Sequence, residues 1–396
     1  MEPSGQEQQE VTPPAPVVPV AVIPDNLENL PKVYLTTPDG KDIVSKHTWV
    51  DLCRIKIVGD DGVSLFEDDS LQVKGRGNST WYSFPKKPYT LKLNHQANLF
   101  GTGKSKRYVL LANWMDRTLL RNVVAFEAAR RTSLEWTPDG RFVELYLNGR
   151  HLGNYWLGEK VNVEGSKFKA DYLFSMDTSD WEETDFRIDY GFQPNSWQSG
   201  LPVEVKHPDR DDLEPAEFEK VLSDSRELLQ RIGEALKEGS WEGMIDLDSF
   251  CDWYLVYELT GNGEPNHPKS CYYHFRDGKL VAGPVWDFDW YTFIPGEKGL
   301  MIDQSLFYGY LLHDEVFKEH LRKRWRILRP AFSSLEDYVD TQVEIIRRSE
   351  AFNHQLWPIG QWINGDENLS FQQAVDRLKQ ALKERTDQIE LGIYAL

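Results

Sequence analysis

The spacing of apolar residues changes once along this chain, and the change constrains the fold more than any other feature. Through about residue 160 apolar and polar residues alternate, the pattern of strands with one buried face. Ile55 and Ile57 stand between charges, while Tyr89, Leu91 and Leu93 share one face of a run whose other face carries Thr90 and Lys92. Further strands are expected over 32–37, 71–75 and 108–112. Asn148-Gly149, between apolar runs at 142–147 and 152–157, is the strongest short hairpin signal, because a two-residue type I′ turn needs positive φ at both positions. One helix interrupts this half. Asp116 is its expected N-cap, and Leu119, Leu120, Val123, Val124 and Ala128 follow at helical spacing. Residues 165–212 are mixed, with strands expected over 172–174 and 201–206. From Glu214 the spacing turns helical: 214–237 with Pro215 in the first turn, 246–259, then about 314–332, 334–351 and 370–391. The 396 residues exceed what one core usually organises. The expected class is α+β, with a β-rich N-terminal lobe over about 31–165 and a mainly helical C-terminal lobe over about 166–396.

The formal charge of −18 argues against nucleic acid and against anionic membrane surfaces as partners. It leaves room for a nucleotide wherever local Lys and Arg side chains and a metal meet the phosphates. No apolar run reaches 18 residues, so the chain is not expected to be membrane-embedded. Cys53, Cys251 and Cys271 are far apart, without a CxxC or Cys/His cluster, which excludes a structural zinc site but leaves one disulfide open. Residues 1–30 are polar and then Pro-rich, the composition of a disordered tether. Such a tether often spaces an exported domain from an anchor. Export to the cell surface or periplasm is therefore expected, with a cytosolic disordered tail as the alternative. The 14 tryptophans do not discriminate, since they serve cores, sugar sites and nucleobase sites alike.

Candidate chemistry begins at Gly283-Pro284-Val285-Trp286-Asp287-Phe288-Asp289-Trp290, after a hairpin-like run with an Asp277-Gly278 turn. On an extended chain, Asp287 and Asp289 project to the same side. Carboxylates held close among bulky aromatics are costly unless a cation joins them. The functional reading is a site for a hard divalent cation, as Mg²⁺ prefers, and the alternative is a solvated turn. In Arg76-Gly77-Asn78-Ser79-Thr80-Trp81, Gly75 and Gly77 allow tight turning while Arg76, Ser79 and Thr80 add donors. This loop is either a phosphate cradle or an ordinary turn anchored by Trp81. Gly101-Thr102-Gly103-Lys104-Ser105 is not a P-loop, because Asn98 stands where a glycine is required and a strand follows. Lys92 and Glu127 form a candidate strand-lysine/helix-glutamate pair of the kind that orients phosphates in kinases, against the plainer reading of Lys92 as a solvated strand residue. The loop at 260–270 offers Glu264, Asn266 and His267 as base or ligand groups. Loop, hairpin and aspartates follow one another as the catalytic loop and metal aspartate do in protein kinases. His207 and His274 read as structural or surface residues.

Five motifs in this order carry a resemblance: Arg-Gly-Asn-Ser-Thr-Trp at 76–81, Lys-Pro-Tyr-Thr-Leu-Lys at 87–92, Leu-Leu-Ala-Asn-Trp-Met-Asp-Arg-Thr-Leu-Leu-Arg-Asn at 110–122, Glu-Leu-Tyr-Leu-Asn-Gly-Arg-His-Leu-Gly-Asn-Tyr at 144–155 and Trp-Asp-Phe-Asp at 286–289. Over roughly 65–300 the chain resembles the spore-coat CotH kinase family. The resemblance implies an atypical, secreted-type kinase-like fold of two lobes that uses ATP and Mg²⁺ (or Mn²⁺) to phosphorylate Ser or Thr on a protein substrate. It implies Asp287 as metal aspartate with Asp289 beside it, and Lys92 with Glu127 as the phosphate-positioning pair. Arg76 and Ser79 are expected at the nucleotide, Glu264 and Asp287 in catalysis, and Ser270 as a further metal ligand. The chain departs from the family's catalytic loop, which has Asp and, five residues later, Asn before a Tyr-rich strand. Here Glu264 and Ser270 precede Cys271-Tyr272-Tyr273. A Glu carboxylate stands one methylene further out, and Ser is a weaker Mg²⁺ ligand than an Asn carbonyl. Two alternatives to a protein phosphotransferase therefore stay open. One is a non-catalytic, lipoprotein-like envelope protein that binds a glycan or protein partner on the same scaffold. The other is a glycosyltransferase using Asp287-Phe288-Asp289 as a DxD motif, although the βαβ alternation of a nucleotide-sugar domain is missing.

Overall fold

The computed structural model describes residues 30–100, 103–164, 167–178, 184–188, 200–359 and 364–396. Of the expected tether, only Leu30 falls among them. The chain first builds strands β1 (Lys32–Thr36), β2 (Val50–Val58) and β3 (Ser64–Gly75), a single helical turn α1 (Ser79–Tyr82), then β4 (Tyr89–Asn98) and β5 (Lys104–Leu111). Helix α2 (Arg121–Arg130) and the hairpin β6 (Gly140–Leu147) and β7 (Arg150–Glu159) follow. These seven strands close into a barrel in the order β1-β2-β3-β4-β5-β7-β6, sealed by the parallel pair β1–β6.

The period-two pattern explains both faces of the barrel. Ile55 and Ile57, Leu71 and Val73, Tyr89, Leu91 and Leu93, Tyr108 and Leu110 all point into the barrel core. Their neighbours Val109 and Leu111, with Phe142 and Trp156, turn outward into a second core that contains Val123, Val124 and Phe126 of α2. The turn between β6 and β7 has Asn148 at φ 52° and Gly149 at φ 79°, as the Asn-Gly signal requires. Helix α2 starts later than expected, with Leu120 rather than Asp116 at the cap position. Leu119 takes φ 61°, which breaks the helical path. The Asp116 carboxylate still accepts the N–H of Arg121 at 2.8 Å, so it serves the helix start from outside it.

After residue 165 five strands come before the final helices: the two expected strands, the expected hairpin and one further short strand. They are β8 (Tyr172–Met176), β9 (Phe186–Ile188), β10 (Leu201–His207) and, after α3 (Pro215–Glu238) and α4 (Leu247–Thr260), the hairpin β11 (Cys271–Arg276) and β12 (Lys279–Ala282). They form an antiparallel sheet in the order β12-β11-β8-β10-β9. A short α5 (Tyr308–Leu311) precedes α6 (Glu315–Ser333), α7 (Leu335–Leu356) and α8 (Phe371–Ala395). The helix ends follow their sequence signals. Glu214 and Glu217 make a capping box with Pro215 in the first turn of α3, and Asp246 caps α4 through the Ser249 N–H. Helix α4 is buried at every position from Ser249 to Thr260, which accounts for its aromatic composition. Its C-terminal end supports the loops that carry Glu264 and the two aspartates. The class is α+β. No helix among the described residues is long and apolar enough to cross a membrane, and the three cysteines are buried and unpaired.

Candidate functional site

A cavity of about 560 Å³ opens where the barrel meets the five-stranded sheet and the loops after α4 and β12. That volume suits a small organic ligand. Arg76, Ser79, Glu264, Ser270, Asp287 and Asp289 all line it.

The cationic wall starts at the end of β3. Gly75 passes directly beneath Trp81, where a Cβ would sit 2.4 Å from the indole ring. Gly77 has φ 81°, and a Cβ there would meet the Thr80 hydroxyl. The tight loop thus needs both glycines, and Trp81 is its core anchor as well. The Arg76 guanidinium lies 5.3 Å from the centroid of the Trp286 ring, and Trp286 stacks on Phe126 of α2. Burial pulls the Arg76 pKa down, opposed by Asp287, Tyr272 and Asp289. Lys160, just past β7, lines the same cavity. Its ammonium is drawn down to about 7, first by burial and then by Lys206, Arg107, Arg76 and Lys74. No ion-pair partner for it stands among the described residues. The acidic group near it, Asp209, is taken by Arg107 at 2.7 Å, and a half-buried lysine among so many cations favours an anion in the cavity.

Facing it are four carboxyl groups from three separate segments: Asp177 after β8, Glu264, and the Asp287/Asp289 loop. Ser270 joins two of them. Its N–H donates to Asp177 Oδ2 at 3.1 Å and its hydroxyl to Asp287 Oδ2 at 3.3 Å. Burial raises the Asp287 pKa, offset by Arg76 and raised again by Asp177. Asp289 is pushed up to about 8 by burial and then by Asp287 and Asp116. Glu264 rises well above the ordinary carboxyl range, again by burial first and Asp287 second, with Lys269 opposing. Carboxyl groups packed this closely cannot all ionise without a cation. The donors are all hard oxygens, which fits Mg²⁺ or Mn²⁺. No group of three or more His, Cys, Asp or Glu among the described residues is placed to hold a metal alone. A cation here would complete its shell with ligand oxygens and water, the usual habit of Mg²⁺ beside phosphates.

Three expectations need correction. The aspartates do not share an extended strand: Asp287 is left-handed at φ 68°, so the chain turns between them. Lys92 sits on β4 opposite Gln72 and Arg107, two residues past the cavity-lining Thr90 and outside the cavity. Glu127 turns to its own helix end and bonds Arg130 at 3.2 Å and Arg131 at 2.9 Å. The two do not pair. Asn266 is taken up structurally, donating to the Met301 carbonyl at 3.0 Å. His274 is buried against the Gly283 carbonyl at 3.0 Å, as a structural histidine. Lys160 and Asp177 were not singled out from sequence. Each lies just beyond the last apolar residue of a strand, where spacing carries no signal and only the fold brings it to the cleft.

A family model described as CotH kinase protein matches residues 73–389. A search of curated proteins finds no match.

Proposed function

This chain belongs to the CotH kinase family, and from that premise we propose that its cavity binds ATP with Mg²⁺ or Mn²⁺ and directs phosphoryl transfer to a Ser or Thr hydroxyl of a protein. One observation carries the reading: a single cavity sets Arg76 and Lys160 across from Asp287, Asp289 and Glu264. On this reading the barrel covers the nucleotide and the sheet-and-helix part carries the metal ligands, a kinase-like division into two lobes.

Arg76, steadied by Trp286, and Lys160 bind phosphate oxygens, and the Gly77 turn lets the Ser79 and Thr80 end of the loop approach them. Asp287 and Asp289, with the Ser270 hydroxyl, would hold the cation. When bound, the cation neutralises charge on the transferring group. Glu264, beside Asp287, orients the acceptor hydroxyl. Phosphoryl transfer through a loose transition state depends on positioning and electrostatics more than on a strong base. That is why Glu in place of Asp is compatible with transfer. Export and tethering through residues 1–30 belong to the same proposal.

The test is thermal shift and transfer with purified protein, labelled ATP and Mg²⁺ or Mn²⁺, with Asp287→Asn as control. Metal-dependent stabilisation by ATP, lost in the variant, and label on a Ser/Thr acceptor are the expected results. Neither binding nor transfer would overturn the reading. Binding without transfer would favour a non-catalytic envelope protein, and stabilisation by UDP- or GDP-sugars instead of ATP would favour the DxD alternative.

A further inference from the structure

The loop that carries the two aspartates is held by side chains rather than by strand or helix pairing. The Asp287 carbonyl accepts from Asn262 Nδ2 at 3.1 Å, and the Phe288 N–H donates to Asn122 Oδ1 at 2.8 Å. These two groups belong to one peptide unit, so two asparagines clamp it from both ends. Further along, Asn364 donates to the Asp289 carbonyl at 2.9 Å and accepts the Tyr291 N–H at 2.5 Å. The Thr292 hydroxyl donates to the Phe288 carbonyl at 2.6 Å. Asn122, Asn262 and Asn364 are 3%, 1% and 0% exposed. They come from α2, from the end of α4 and from the segment before α8.

The clamped peptide is a strained one. Asp287 at φ 68° and Tyr291 at φ 51° occupy the left-handed region, which a non-glycine residue avoids unless its surroundings fix it. A relaxed φ at Asp287 would swing its carboxylate away from Ser270. The asparagine amide suits the task because it offers a donor and an acceptor while carrying no charge. An aspartate there would add another carboxylate to an already acidic cleft. Asn262 does a second thing: its Oδ1 accepts the Glu264 N–H at 2.9 Å. One side chain therefore ties the backbone of Glu264 to that of Asp287.

We propose that Asn122 and Asn262, supported by Asn364, are positioning residues that hold Asp287 in its metal-binding orientation and set its register with Glu264. This rests on the metal–nucleotide reading of the cavity. The probes are Mn²⁺ alone, a non-hydrolysable ATP analogue without metal, and the two together, titrated against the full chain. Asn122→Ala and Asn262→Leu are compared with Val343→Ala, a core truncation in α7 away from the cleft. The expected result is Mn²⁺ affinity reduced about 10–100-fold in both asparagine variants, the usual effect of removing a group that orients a metal ligand. Metal-free nucleotide affinity stays within about twofold, and Val343→Ala keeps wild-type Mn²⁺ affinity. Should Asn262→Leu fail to fold, Asn122→Ala reads the same peptide from its other end. Unchanged Mn²⁺ affinity in a folded asparagine variant overturns the clamp alone. So does a parallel loss of metal and metal-free nucleotide binding, which is the mark of a structural role. A wild-type chain that binds neither probe overturns the cavity reading and this inference with it.

Discussion

Exchanging Lys160 for methionine removes one charge from the cavity and keeps the apolar stem. In the empty protein this ammonium titrates near 7, because burial and then Lys206, Arg107, Arg76 and Lys74 disfavour its charged form. Those cations reach it from β10, β5, the loop after β3 and β3 itself. A polyphosphate entering the cavity reverses the sign of that field and returns the lysine to at least its ordinary value of about 10.4. A group with a higher pKa in the complex than in the free protein takes up a proton on binding at any pH between the two values. Affinity for an ATP analogue is therefore level below about pH 7. It falls about tenfold, or about 1.4 kcal/mol, for each pH unit above it. Between pH 7.5 and 9.5 the loss is about 100-fold, in a range where the terminal phosphate, with a second pKa of about 6, is already ionised. Isothermal titration at pH 8.5 in buffers of different ionisation enthalpy should give uptake of about one proton. In Lys160→Met the profile flattens, and affinity at pH 7 drops about 10–100-fold, the worth of about 1.5–3 kcal/mol for a hydrogen bond to a charged group. The stability of the empty protein moves the other way. A lysine depressed in the folded state costs stability as pH falls from its unfolded value toward 7, so the methionine variant should melt no lower than wild type at pH 7. Wild-type affinity with an unchanged pH slope in Lys160→Met, or no proton uptake by wild type, would refute the reasoning.

Three further outcomes check the architecture and the site. Arg121→Met removes the cation that joins Asp116 and Asp366 at 2.5 and 2.6 Å, leaving Asp366 to Arg377 and Asp116 to the Thr118 and backbone donors, and should cost about 3 kcal/mol in urea unfolding. A loss below about 1 kcal/mol would show that the network contributes little. Lys92→Ala and Glu127→Ala should leave nucleotide affinity within about twofold and lower stability by less than about 1 kcal/mol, since both stand outside the cavity. A large loss of binding in either would restore the expected pair. Glu264→Ala should retain nucleotide binding and lower kcat by about 10²–10⁴, with unchanged kcat removing Glu264 from the acceptor side.

The sequence was most informative where one side-chain pattern repeats over a whole element. Alternation at 89–93 and 142–157 located the barrel strands, and the Asn148-Gly149 turn located their hairpin, because each depends on local geometry alone. The strands expected over 172–174 and 201–206 and the hairpin around Asp277-Gly278 correspond to β8, β10 and β11–β12. Strand β9 was not legible, because its three residues are too few to show alternation. Closure of the barrel was not legible at all. It rests on β1 pairing in parallel with β6 across more than a hundred residues, and no local signal encodes such a partner. The site divided in the same way. Arg76, Glu264, Ser270, Asp287 and Asp289 sit in, and Ser79 just after, glycine-, proline- or aromatic-marked loops that announce themselves. Lys160, Asp177 and the three asparagines occupy positions that only tertiary packing makes special. The Lys92–Glu127 pair misled because strand and helix were placed correctly while the direction of Glu127 was not. Arg130 at the end of α2 and Arg131 just past it claim that carboxylate first.

The two departures from the family's catalytic loop look different once their neighbours are known. Taken singly, Glu264 places a carboxylate too far out and Ser270 loses a ligand arm. Both residues are tied to Asp287: its charge raises the Glu264 pKa, and the Ser270 hydroxyl donates to its carboxylate. Ser270 also takes φ 51° and turns its N–H to Asp177, drawing in a carboxylate from just after β8 that the loop itself does not supply. The anionic character of the cleft is thus carried by side chains from three segments instead of one motif. A motif comparison weighs each position alone and registers two losses. The packing joins Glu264, Ser270, Asp177 and Asp287 into one electrostatic unit, and it is the charge and reach of that unit, facing Arg76 and Lys160, that decide whether a metal-bound phosphate fits.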